Sequence, residues 1–247
     1  MTGRLYGIGV GPGDPELMTV KARRLLQACP VVAHFAAAGR RGNAWAIVAG
    51  VLAPAQTVIR LDYPITIEPT PAAEYERLMD AFYDASAAVV EQELVAGRDV
   101  AVVCEGDPLF YGSYMYLHDR LAGRYDTLVV PGVTSFCAAA AAAGTPLVSR
   151  EETLTIIPGL RTESELAELL RGADAAVVMK VGSHLVDVRA AAATAGVDGD
   201  AVYVERASCA DERVLPLADT GGVDAPYFSV VLVPGPALGQ RRVIDRG

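Results

Sequence analysis

The stretch Leu5-Tyr6-Gly7-Ile8-Gly9-Val10-Gly11-Pro12-Gly13-Asp14-Pro15 opens on a short apolar run and then places a glycine at every second position. Leu5 to Ile8 reads as a buried strand. The glycines after it form a turn whose backbone can come close to a neighbour or a ligand. Beyond Pro15 the pattern turns helical, with Leu17 and Thr19 at its start. Strand, glycine turn and helix in that order are the opening unit of a parallel α/β sheet.

This loop is not one of the common nucleotide motifs. The dinucleotide fingerprint G-x-G-x-x-G fails by one residue, because the sixth position is Pro12 counted from Gly7 and Asp14 counted from Gly9. The acid that would hold a ribose about 20 residues later is missing, since the second apolar run ends in His34 and Phe35. NAD and FAD are therefore disfavoured, and so is the G-x-G-x-G of the commonest methyltransferase fold, which needs the same acid. No Gly-Lys-Ser/Thr occurs, which excludes a P-loop. Pro12 also removes a backbone donor where a phosphate cradle needs one. Asp14 is read as a turn former.

Outward from this loop, short apolar runs continue at Val31 to Phe35, Thr57 to Leu61, Val100 to Cys104 and Thr127 to Val130, separated by helical patterns. One long amphipathic helix is predicted between the third and fourth runs, over Thr70 to Arg98, with Pro71 in its first turn and Gly97 as its stop. Around Gly144, Thr145 and Pro146 an alanine-rich helix breaks and the rhythm changes, which places a domain junction there and gives domains 1–143 and 144–247. The second half offers strands at Thr153 to Ile157, Ala175 to Lys180, Ala201 to Glu205 and Tyr227 to Val233, with helices over Glu163 to Leu170 and Leu185 to Ala195. The last two runs lack a helical crossover, which predicts some antiparallel pairing and a mixed sheet. The polar tail from Gly239 to Gly247 is expected to fray.

Composition excludes several functions. Of 247 residues, 21 are Lys or Arg and 30 are Asp or Glu, a net charge of −9, which disfavours a nucleic-acid binder. The longest apolar run, Phe136 to Ala143, is far short of the roughly 20 residues that a membrane span needs. No signal-peptide pattern precedes the first strand, so a cytoplasmic location is expected. Cys29, Cys104, Cys137 and Cys209 form no C-x-x-C pair and are read as buried small hydrophobes. With His34, His118 and His184 equally scattered, no metal is expected.

Two further loops follow predicted strands: Glu105-Gly106-Asp107-Pro108-Leu109-Phe110-Tyr111-Gly112, and Pro131-Gly132-Val133-Thr134-Ser135. Both stand at carboxyl ends of parallel strands, where open α/β sheets bind ligands. Taken singly, Asp107, Thr134 and Ser135 are equally suited to capping helices. Three glycine-rich loops on one sheet edge favour a site.

In this order the three loops resemble the signatures of the tetrapyrrole methylase family, S-adenosylmethionine enzymes of cobalamin and sirohaem synthesis. Val178 to Gly182 and Val204 to Ser208 continue the likeness, which covers essentially the whole chain. The stretches Leu61 to Ile65, Gly106 to Ser113 and Met179 to Gly182 are most similar to the family branch that methylates the C20 bridge carbon of precorrin-2. A branch acting on the cobalt-loaded substrate, a methylase of a later corrin carbon, a diphthine synthase and a non-catalytic tetrapyrrole carrier remain as alternatives.

The resemblance implies a two-domain α/β fold with a mostly parallel N-terminal sheet, a mixed C-terminal sheet and the active-site cleft between them. It implies S-adenosylmethionine at Pro12, Gly106, Asp107, Phe110, Thr134, Ser135, Val181 and Ala207, and a homodimer. No catalytic residue is assigned; Tyr111, Glu105, Asp62, His34 and Lys180 are candidates. Because the implied substrate carries eight carboxylates, an acidic protein must concentrate positive charge locally. Arg40, Arg41, Arg60, Arg150, Lys180, Arg206 and Arg213 are expected to gather at the cleft mouth.

Overall fold

The computed structural model describes residues 1–66 and 70–235. The chain divides into two compact units, Met1–Thr134 and a second that begins at Ser135. The tail from Gly239 onward lies outside the described residues.

The first unit is built on five parallel strands, β1 (Leu5–Gly9), β2 (Val31–Ala37), β3 (Thr57–Tyr63), β4 (Val100–Cys104) and β5 (Thr127–Val130), in the order β3-β2-β4-β1-β5. Between them run α1 (Val20–Ala28), α2 (Asn43–Val48), α3 (Ala72–Val95) and α4 (Tyr114–Leu121). Strands β1, β2 and β4 are covered on both faces, so they read as apolar runs and their alternation shows only in which core each residue joins, whereas edge strand β3 turns Val58, Arg60 and Asp62 to solvent. Leu5, Val31, Ala33, Phe35, Val100, Val102 and Cys104 pack with Leu94 of α3 and Leu117 of α4. Ile8, Val32, Ala101 and Val103 pack on the other face with Leu26 of α1 and Ile47 of α2. Helix α3 begins directly after Pro71 and is followed by Gly97 at φ +79, as its sequence signals require.

The second unit contains α5 (Ser135–Ala143), β6 (Leu154–Pro158), α6 (Glu163–Arg171), β7 (Ala175–Met179), α7 (Leu185–Ala195), β8 (Val202–Glu205), β9 (Arg213–Pro216) and β10 (Ser229–Val233). Its sheet order is β6-β7-β10-β8-β9. Only β6 and β7, joined through α6, are parallel; β10 runs antiparallel to both β7 and β8, and β8 to β9. Thr162 and Glu165 close a capping box at the start of α6, and left-handed Gly196 ends α7.

Three expectations change. Helix α5, read with the first domain, packs through Ala138 and Ala139 on Val177, Val204 and Leu232 of the second sheet. Its alanines offer a flat face that no periodicity assigns to either side. Strand β9 escaped the reading because four residues bounded by Arg213 and Pro216 carry too little apolar signal. Cys29 and Cys104 are buried, but Cys137 is exposed and Cys209 half-buried, because α5 and the loop after β8 turn those positions away from the core.

Candidate active site

Strands β4, β1 and β5 are neighbours and parallel, so their carboxyl ends reach one edge together. There the three loops touch through bare backbone. Gly106 N donates to Gly11 O at 2.7 Å, and Val10 N to Cys104 O at 2.9 Å. A Cβ on Gly9 would lie 2.6 Å from Gly132 N and 2.7 Å from Gly106 O; one on Gly132 would lie 2.0 Å from Gly106 O. No side chain fits at either place. Glycine is required here by close approach of three chains.

Asp107 staples the contact. Its Oδ1 accepts from Leu109 N at 2.9 Å, closing its own turn, and its Oδ2 accepts from Gly132 N at 3.1 Å, reaching the third loop. Asp107 thus holds two loops in register instead of capping a helix. Asp14 accepts from Glu16 N at 2.8 Å and Thr19 caps α1 through Ala22 N at 3.1 Å, so both serve the local turn. Thr134 differs from these, because its Oγ1 is buried and has no hydrogen-bond partner among the described residues. Leaving a buried hydroxyl unpaired costs about 1–3 kcal/mol, which a ligand hydroxyl, amine or carboxylate would recover. Pro12 and Gly106 are buried, Phe110 is half-buried, and the Phe110 and Tyr111 rings meet edge to face at 4.9 Å.

Strained backbone falls after strands of both units. Tyr111 has φ 54 in the second loop, and in the second unit Lys180 (φ 57) follows β7 while Arg206 (φ 48) and Ser208 (φ 67) follow β8. Left-handed non-glycine residues cost about 1–3 kcal/mol each and cluster at ligand sites. Val181 and Ala207 are buried next to these positions, and Ser135 opens α5.

The proposed catalytic candidates separate. Glu105, at the end of β4, is pushed up to about 8 by burial, against a hydrogen bond from Asn43 at the start of α2. It is therefore mostly protonated at neutral pH. His34 on β2 is buried and its pKa is lowered chiefly by that burial, while Nδ1–H donates to Phe35 O at 3.4 Å. Its ring stacks on Trp45 at 5.0 Å. Asp62 on β3 is committed to Arg60 at 2.7 Å. Tyr111 is exposed, and Lys180 belongs to the second unit with its pKa lowered by burial. His34 and Asp62 share one recess; Glu105 and Tyr111 share the second loop. Asn43 and Trp45 were not singled out in the sequence, although Trp45, as the only tryptophan, offered a signal.

The basic residues are also divided. Arg40, Arg41 and Arg60 line one recess of the first unit. Arg206 pairs with Asp211 at 2.7 Å and Arg213 with Glu205 at 3.4 Å, which reflects ordinary local charge pairing in the second unit.

A parallel α/β unit with three glycine-rich loops at one strand edge, followed by a mixed second sheet, defines the class, and the comparisons agree. The family profile of the tetrapyrrole (corrin/porphyrin) methylases matches residues 4–220. The chain belongs to that family. It is 48% identical over 234 residues to a precorrin-2 C(20)-methyltransferase of Sinorhizobium sp, covering 94% of this chain and 96% of the relative. A cobalt-precorrin-2 C(20)-methyltransferase of Salmonella typhimurium is 32% identical, with 94% and 97% covered. The structure of uroporphyrin-III C-methyl transferase from Thermus thermophilus complexed with S-adenyl homocysteine superposes at a TM-score of 0.67, with 25% identity over 94% of this chain and 92% of that one.

Two outcomes follow from the site. Gly132→Ala is expected to lower stability in urea unfolding by about 1–3 kcal/mol or more, because the new methyl meets rigid backbone. Asp107→Ala leaves two amide donors unpaired and is expected to cost about 1–3 kcal/mol. Gly50→Ala, which meets no atom within 4 Å, is the control and should stay within about 0.5 kcal/mol. Second, Glu105 binds its proton more tightly folded than unfolded. Stability should therefore fall as pH rises from the ordinary carboxyl value of 4.5 to about 8, and level off above. Glu105→Gln should flatten that slope in melting curves taken across the range; an unchanged slope would show that Glu105 titrates normally.

Proposed function

We propose that this chain transfers the methyl group of S-adenosylmethionine to C20 of precorrin-2, giving precorrin-3A in cobalamin biosynthesis. The observation that carries this reading is the 48% identity, over nearly the full length of both chains, to an enzyme named for that reaction. The lower identity of 32% to the cobalt-precorrin-2 relative favours the metal-free substrate. The reading includes a cytoplasmic homodimer, as the family resemblance implies.

The bond changes are simple. C20, the bridge between rings A and D, is electron-rich as part of a conjugated enamine and attacks the methyl carbon as the carbon–sulfur bond breaks. S-adenosylhomocysteine departs, and the proton on C20 leaves to restore conjugation. The sulfonium is already activated, so the protein's task is alignment, and well-oriented reactants can gain about 7–11 kcal/mol. In this reading the rigid loops at Pro12, Gly106, Asp107, Phe110 and Thr134 fix the cofactor in the first unit. The Thr134 hydroxyl makes a direct contact, and Asp107 acts through the loops it ties together. Ser135, Val181 and Ala207 hold the matching family positions in the second unit, where buried Val181 and Ala207 offer backbone more than side chain.

Incubation with S-adenosylmethionine carrying a labelled methyl and with enzymatically made precorrin-2 should give a product one methyl heavier, labelled at C20. Label at another carbon, or turnover of the cobalt form alone, would replace this substrate. Tight binding of both ligands with no S-adenosylhomocysteine released would instead identify a carrier.

A further inference from the structure

We propose that the recess formed by Arg40, Arg41, Arg60 and Trp45 in the first unit is a polycarboxylate subsite that receives acidic side chains of the tetrapyrrole. The assignment of that ligand rests on the proposed function; the recess itself stands on its geometry.

The recess has a volume of about 610 Å³. It is built by the register of two strands, in which His34 of β2 pairs with Arg60 of β3 and Ala36 with Asp62. Strand β3 is the last in the sheet, and its alternate residues Val58, Arg60 and Asp62 are exposed. The His34–Trp45 stack and Val58 give the recess an aromatic and apolar lining. Arg40 and Arg41 project from the loop that leaves the carboxyl end of β2.

The charge arrangement selects the ligand. Arg60 is held in place, with Nε donating to Asp62 Oδ1 at 2.7 Å and Nη2 to Ala37 O at 2.9 Å. Arg40 and Arg41 are exposed and form no ion pair among the described residues. Three guanidinium groups therefore face one carboxylate, and buried His34 adds no charge at neutral pH because its pKa is lowered. In a protein of net charge −9 this is a local reversal of sign. A neutral ligand gains nothing from it, whereas carboxylates match the planar fork of a guanidinium.

Position points the same way. Strands lie about 4.8 Å apart, so β3 stands roughly 14 Å from β1 along the edge that carries the glycine loops. An extended ligand bearing acids at its rim could reach this recess while its reacting carbon stays near those loops. A compact anion could not do both.

Uroporphyrin, a stable octacarboxylate, and coproporphyrin, with half as many acids, serve as probes of the full chain, with S-adenosylhomocysteine binding as the check on folding. The double variant Arg40→Gln/Arg41→Gln should weaken uroporphyrin about tenfold or more and narrow its advantage over coproporphyrin. The corresponding Arg→Lys pair should recover part of the loss. Uroporphyrin affinity within about twofold of the parent, with S-adenosylhomocysteine still bound, would overturn the subsite. Turnover separates the two readings. If the parent methylates precorrin-2 and the Gln pair keeps its KM, the subsite is wrong and the reaction stands. If precorrin-2 is inert but uroporphyrin binds through Arg40 and Arg41, the reaction is wrong and the subsite stands.

Discussion

Three backbone segments meet where Gly9 and Gly132 close on the Gly106 carbonyl with no room for a side chain on either, and the first unit is arranged to permit that contact. The strand order puts β1 between β4 and β5, which brings the three loops to one edge. Register then places Gly9 opposite Cys104 and Ile8 opposite Val130, so each loop leaves its strand at the same height. Asp107 fixes the remaining freedom by accepting from both Leu109 N and Gly132 N. The result is a rigid rim made mostly of main chain. Its buried Thr134 hydroxyl has no partner among the described residues, which gives the rim one unused polar group.

This construction separates roles that the sequence alone left merged. Glycines and aspartates in a loop after a strand serve turns, caps and ligands alike. Here Asp14 and Thr19 serve turn and cap, Asp107 ties loop to loop, and Thr134 keeps a hydroxyl with no partner among the described residues. A rim of this kind suits methyl transfer from a sulfonium, where alignment dominates and acid–base catalysis contributes little to breaking the carbon–sulfur bond.

The parallel sheet was legible because most strands of the first unit are apolar runs bounded by glycine, proline or polar residues, and the ends of β4 and β5 agree with the sequence to the residue. The two later glycine-rich loops were legible for the same reason: Glu105 to Gly112 and Pro131 to Ser135 interrupt those runs. Helix α5 was assigned to the wrong side because alanine marks neither face strongly, and tertiary packing decided it. Short β9 carried too little pattern. The bond between Asn43 and Glu105 joins residues far apart in sequence, the stack of Trp45 on His34 joins a helix to a strand, and neither has a periodic signal. Charge showed the same limit: the count of 21 cations required an uneven distribution, but only the pairing of β2 with β3 brought Arg60 to the loop that carries Arg40 and Arg41.

The central claim is that the glycine-built rim, with Thr134, holds the methyl donor. A crystal structure with S-adenosylhomocysteine bound tests this most directly. The expected result is the ligand against Pro12, Gly106 and Phe110 with Thr134 Oγ1 within hydrogen-bond distance of it, and the spacing of Gly9, Gly106 and Gly132 unchanged. S-adenosylhomocysteine bound elsewhere, with the Thr134 hydroxyl still unpartnered, would contradict it.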